Sequence, residues 1–218
     1  MIMRVVGAAM AAVLAAATSV KLPAQRAPVA CTENSPERSG EPGCTILAQT
    51  PLLMSSRQPL FWHIDRFPSL TAAKAAAGSA GVAAEAHGVA WLMTVERQTS
   101  DHHGGTHIAL IGPLPLPSAQ SYEMMILSAL FSPSDYTPIH QHSGPEIWYV
   151  IAGEQCLQTP ERALKTRAGE TAIVPAGVTM RLVATGTEPR RALVLILHDA
   201  AQPPTSVING PPPLADCK

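Results

Sequence analysis

The chain has no basic patch and no acidic run: 15 lysines and arginines face 16 aspartates and glutamates in 218 residues, for a formal net charge of −1. So even a balance gives no field to gather a polyanion, and nucleic acid is excluded as an expected partner. Long hydrophobic runs are also missing. The uncharged stretch Val5 to Ala17 is too short to span a bilayer comfortably, so no membrane span is expected in the mature form. No pair among the four cysteines has CxxC spacing, which removes both the thiol redox motif and the cysteine zinc site. There is no internal repeat long enough to suggest a solenoid or propeller.

What is present points to a β-rich chain with a leader. The 21 prolines and 15 glycines stand as punctuation between short apolar runs, and 46% apolar residues suffice for the core of one domain. Residues 1–17 carry Arg4, then an apolar core, then Ala15-Ala16-Ala17, which reads as a secretory signal peptide. A buried Ala-rich helix is the alternative, and cleavage near Ala24 is the second choice of site. Pro28 and the distance from the apolar core argue against a lipid-modified Cys31. Export places the protein in the periplasm or outside the cell. Cys31, Cys44, Cys156 and Cys217 survive cleavage, and an even count in an exported chain favours disulfides, with three connectivities open. Cys31 with Cys44 would close a small loop, and Cys156 with Cys217 would staple the tail; otherwise Cys156 is a buried free thiol.

Residues 18–58, rich in Pro, Ser, Gln and Gly, are expected to be an extended arm. Leu60 to Ile64 reads as a strand, and Ser69 caps a short Ala-rich helix from Leu70 to Ala77 that Gly78 ends. Val82 to Glu96, broken at Gly88, and His107 to Ile111 are further extended regions. Between them Asp101-His102-His103-Gly104-Gly105-Thr106-His107 is dense in possible ligands. Pro113 to Pro117 is a rigid connector. Short strands follow at Tyr122 to Phe131, Gln155 to Thr159, Thr171 to Val174, Thr179 to Ala184 and Ala192 to His198. The last is apolar on both parities, as a strand buried on both faces or covered by the N-terminal segment would be.

The chemistry concentrates in His140-Gln141-His142-Ser143-Gly144-Pro145-Glu146. Side chains two apart on a strand share a face, so His140 and His142 can present two imidazoles to one point. Gly144-Pro145 breaks the strand and lets Glu146 bring a carboxylate beside them. Two histidines and a carboxylate leave coordination positions open, a set suited to divalent iron, manganese, nickel, copper or zinc. Trp148 shares the parity of Glu146 and should face the same cavity, with Tyr149 facing away.

The spacing His140-x-His142-x3-Glu146-x6-Gly153 resembles the first motif of the cupin superfamily, and Gly169-x5-Pro175-x-Gly177 resembles the second. Met180 stands where the second motif has its fourth ligand, a His; Ala184 replaces its Asn, and Ser134 replaces the usual Gly before the first motif. The resemblance implies an all-β fold: a cupin-type jelly-roll barrel, double-sheeted and antiparallel, with a short N-terminal helix and the extended arm. The barrel would occupy residues 59–199, with its motifs in 122–198 and a tail in 200–218. It implies a metal on His140, His142 and Glu146, with Trp148 and Met180 at the pocket, and it makes a homodimer the expected assembly. His198, His102, His103 or His107 could supply a fourth ligand; the sequence offers no convincing general acid or base beside the triad, with Tyr136 and Glu154 as unsupported candidates. Three functions remain open: a metal-dependent oxygenase or isomerase acting on a small organic molecule, a non-catalytic binder of metal or small ligand, and an interaction barrel whose metal site has degenerated.

Overall fold

The structure is a computed structural model, and it describes residues 28–29, 42–52, 59–79, 81–99, 104–210 and 212–217. The signal-peptide segment, Cys31, and His102 and His103 lie outside these residues. In chain order the elements are β1 (Gly43–Leu52), β2 (Phe61–Phe67), α1 (Leu70–Ala76), β3 (Val82–Ala86), β4 (Val89–Glu96), β5 (Thr106–Ile111), β6 (Tyr122–Phe131), β7 (His140–His142), β8 (Glu146–Ala152), β9 (Glu154–Gln158), β10 (Ala163–Arg167), β11 (Thr171–Val174), β12 (Arg181–Thr185), β13 (Arg190–Asp199) and β14 (Thr205–Val207). Every pairing is antiparallel.

Three layers result. The middle layer is the sheet β1-β6-β13-β8-β11; the barrel's other wall is β10-β9-β12, extended by the β14-β7 pair. Isolated bridges Tyr136–Val183 and His140–Met180 tie that pair and its approach to β12. The third layer is a four-stranded sheet, β3-β4-β2-β5, with α1 against it. The regions at Leu60 to Ile64, Val82 to Glu96 and His107 to Ile111 are strands as expected, but they pair with one another instead of entering the barrel sheets.

The alternation of β6 and β13 explains the layering. Met125, Leu127, Ala129, Val194 and Ile196 point into the barrel with Trp148, Leu157 and Leu182. Met124, Ile126, Leu193, Leu195 and Leu197 point the other way, against Trp62, Ile64, Trp91 and Met93 of the outer sheet. A strand apolar on both parities is thereby buried on both faces, and the outer sheet is its cover.

Two expected boundaries shift. Gly43–Leu52, inside the expected arm, is a ten-residue edge strand paired along β6. Its register slips between Ile46 and Ala48, a bulge that interrupts the alternation by which a strand is recognised in sequence. The tail also contributes a strand, β14, and is fixed by a Cys156–Cys217 disulfide. Cys44 is disulfide-bonded as well, and no described cysteine is free, which overturns the reading of Cys156 as a thiol.

Local signals act as their chemistry requires. The Ser69 side chain accepts from the Ala72 N–H at 3.2 Å to start α1. Ser134, where the motif has Gly, holds φ +72°, a conformation costly for a residue with a Cβ. Ser134→Gly is expected to raise stability by about 0.5–1 kcal/mol, the relief at positive φ less the entropy of a glycine. Leu195→Ala, at the sealed interface of middle and outer sheets, is expected to lower it by about 2–5 kcal/mol. Urea titration of both variants checks the pair.

Candidate metal centre

β7 is three residues long, with His140 and His142 buried and Gln141 between them half-buried. It is held on both sides. His140 exchanges main-chain hydrogen bonds with Met180, at 3.0 and 2.8 Å, and β14 pairs Thr205 with His142 and Val207 with His140. The turn that follows packs against β13. A Cβ on Gly144 would overlap the carbonyl of Leu197, and the Leu197 N–H donates to Pro145 at 3.1 Å. That close approach needs a residue without a side chain, and it delivers Glu146 to the start of β8 opposite Ile196.

The donors converge. Ligand atoms of His140, His142 and Glu146 all lie within 4.8 Å of one another, and all three residues are buried. A first-row ion with bonds of about 2.1 Å spans a comparable gap. The ring centroids of the two histidines are 4.8 Å apart, edge to face. His142 Nε2 is 3.5 Å from a Glu146 carboxylate oxygen.

Tautomers are set from behind. His140 Nδ1 lies 2.8 Å from the Pro138 carbonyl, and His142 Nδ1 lies 3.0 Å from both the Pro204 carbonyl and Thr205 Oγ1. A carbonyl only accepts, so each Nδ1 carries the hydrogen and each Nε2 keeps its lone pair in the neutral ring. This is the support that metal-bound histidines usually have. Two buried atoms at the focus, His142 Nε2 and Glu146 Oε2, have no hydrogen-bond partner among the described residues. A divalent cation would satisfy both, and the residues fit one.

Burial lowers the pKa of His140, with the Glu146 charge opposing it. Burial also acts to lower His142, but the Glu146 charge and the Pro204 carbonyl outweigh it and its pKa is raised. The position Glu146 makes attractive to a proton is the one it makes attractive to a metal.

The triad opens into a cavity of about 360 Å³ whose wall is mostly aliphatic and aromatic, Trp148 included. Trp148 is buried there while Tyr149 packs on the outer side, as parity predicts. Met180 packs in the barrel cluster and does not line the cavity: its flexible apolar chain fills space among neighbours instead. The proposed fourth ligands go elsewhere. His198 lies beside Glu123 and His107 beside Asp65, and among the described residues the only group of three metal-ligating side chains is the triad. Tyr136 and Glu154 do not line the cavity; Glu154 is held by Thr185 at 2.6 Å and Arg167 at 3.0 Å. Sequence reasoning missed three contributors: Pro204 and Thr205, which hold His142, and Arg190, which lines the cavity.

A jelly-roll barrel with two histidines and a carboxylate gathered in its cavity defines a class of protein. Residues 128–196 match the model of the Cupin domain family, and the barrel belongs to the cupin superfamily. No curated protein matches the chain. Among solved structures, a cupin-like protein from Thermotoga maritima is 20% identical, with 39% of this chain and 65% of that one covered and a TM-score of 0.37. A Cupin 2 conserved barrel domain protein from Salinispora arenicola is 22% identical, over 36% and 65%, with a TM-score of 0.33. The polyketide cyclase RemF from Streptomyces resistomycificus is 24% identical, over 40% and 61%, with a TM-score of 0.33. The chain thus spans less than two thirds of the length of each.

The tail gives this centre a test. Ending the chain after Gln202, with Cys156→Ser to avoid a stray thiol, removes both acceptors behind His142. Metal affinity, measured by competition with a chelating dye, is expected to fall about 10–100-fold. Unchanged affinity would reduce the tail to a cover.

Proposed function

We propose that this is an exported cupin that holds a divalent transition metal on His140, His142 and Glu146 and receives a small organic molecule in the cavity beside it. The observation that carries the reading is the convergence of two Nε2 lone pairs and an unpartnered carboxylate oxygen in an apolar barrel. A buried carboxylate with no donor costs several kcal/mol, so a cation is the economical explanation. Export is supported by the Cys156–Cys217 bridge, which persists in oxidising compartments. No described helix is long and apolar enough to cross a membrane.

The activity most consistent with this site is of the oxygenase or isomerase type. When bound, the ion supplies Lewis acidity and open coordination positions. The chain's own part is to present neutral imidazoles through hydrogen bonds at both Nδ1 atoms, to exclude water with an apolar wall, and to orient the substrate. With Tyr136 and Glu154 outside the cavity, no carboxylate or imidazole beyond the triad lines it among the described residues. That observation favours a second reading, a carrier or sensor that binds without turnover.

Elemental analysis of the untagged mature protein is expected to find near-stoichiometric iron, manganese, nickel, copper or zinc, lost in a His140→Ala/His142→Ala variant. A metal-free protein that acquires no ion when folded would sink the reading. Supplying the identified metal and oxygen with small phenols and carboxylic acids then separates the two activities. Product that disappears in His142→Ala supports the enzyme, and binding without product supports the carrier.

A further inference from the structure

The cavity wall carries a second charged group. Arg190, the first residue of β13, lines it while only 1% exposed, which is unusual for an arginine. One of its donors is used: Nε donates to the Gln155 side-chain oxygen at 2.7 Å. Its guanidinium carbon lies 5.6 Å from the centre of the Phe131 ring. Among the described residues the Nη2 atom has no partner, and neither does the amide nitrogen of the fully buried Gln155. Because Arg190 must donate, Gln155 is obliged to present its oxygen, so the atoms left over are both donors. Burial pushes the guanidinium pKa down to about 10, with Glu146 acting to raise it, so it remains a cation at neutral pH.

A buried cation with donors to spare needs an anion, and none of the described residues provides one in contact. Glu146 acts on Arg190 electrostatically across the cavity without forming an ion pair with it. Both residues line the same cavity, which therefore holds a cation as well as the triad, with Phe131, Leu127, Val194 and Trp148 on the wall.

We propose that Arg190 is the anion subsite of this cavity and that the ligand is a small carboxylate with an apolar body, its carboxylate on Arg190 and its other end toward the triad. A monoanion is preferred over a dianion because one guanidinium matches a single charge, and Glu146 repels a second. The apolar wall selects the body. This deepens the functional reading above and rests on it for the direction in which the ligand lies, while the anion contact itself needs no metal.

The test is calorimetric binding of 3-phenylpropanoate and of its neutral carboxamide to the full-length mature protein, stripped of metal by chelator and then reloaded. In the stripped protein the carboxylate is expected to bind at least tenfold more tightly than the amide. Arg190→Met should reduce carboxylate affinity about 10–100-fold, to the level of the amide, and Arg190→Lys should restore part of it, since lysine keeps the charge but not the fork. Both variants should keep the metal content of the wild type. Equal affinity for acid and amide in the stripped wild type would overturn the proposal, and that comparison decides even if Arg190→Met does not fold. Carboxylate binding that appears only after reloading, and survives in a folded Arg190→Met, would place the anion on the metal and overturn it too. Arg190-dependent binding in a protein that takes up no metal would leave the subsite standing and remove the metal reading.

Discussion

Everything at this site depends on β13 being buried on both faces. One face closes on the outer sheet through Leu193, Leu195 and Leu197, and the other forms the cavity wall through Val194 and Ile196. A strand sealed on two sides has one register available, because a slip of one residue would send its whole inward set outward. That fixed strand carries Arg190 at its start, pairs with Glu146 near its end, and receives the Gly144-Pro145 turn on its backbone. The charged groups of the cavity are thus positioned by hydrophobic burial elsewhere.

The centre was legible in the sequence where local geometry alone decides it. His140 and His142 share a face because strands alternate, and Gly144-Pro145 returns the chain, so three donors within seven residues needed no long-range knowledge. Trp148 inward and Tyr149 outward follow from the same rule. The paired motifs made the barrel recognisable, and Ser134 sits at positive φ where the motif's usual Gly marks the turn. What stayed hidden depends on chain brought from far away. β14 is three exposed residues after two prolines, and nothing in it announces that Pro204 and Thr205 will stand behind His142. β1 was obscured by its bulge, and the outer sheet looks like barrel strands until its pairing is known.

Arg190 is the instructive miss. Beside Glu188, Pro189 and Arg191 it reads as one charge in a solvated turn, and Arg191 is indeed exposed. Parity held the missing information: Arg190 shares a face with Val194 and Ile196, so once β13 is known to line the barrel, its first inward residue must be buried. The signal was present but needed the strand's starting point, the least certain feature of a strand read from sequence.

The unpartnered atoms that belong to the cavity's lining differ in sign. The triad offers a lone pair on His142 Nε2 and a carboxylate oxygen on Glu146, both acceptors, while Arg190 Nη2 is a donor. Folding leaves a buried polar group unpaired at a cost of about 1–3 kcal/mol, and charged groups cost more. A structural defect would have no reason to separate acceptors from donors, since the cheapest repair is to let them meet. Here Glu146 and Arg190 line one cavity without forming an ion pair. Acceptors alone call for a cation, and donors alone call for an anion. The cavity is therefore incomplete in two opposite senses at once, which a metal ion by itself would only half correct, and a bound carboxylate supplies the other half.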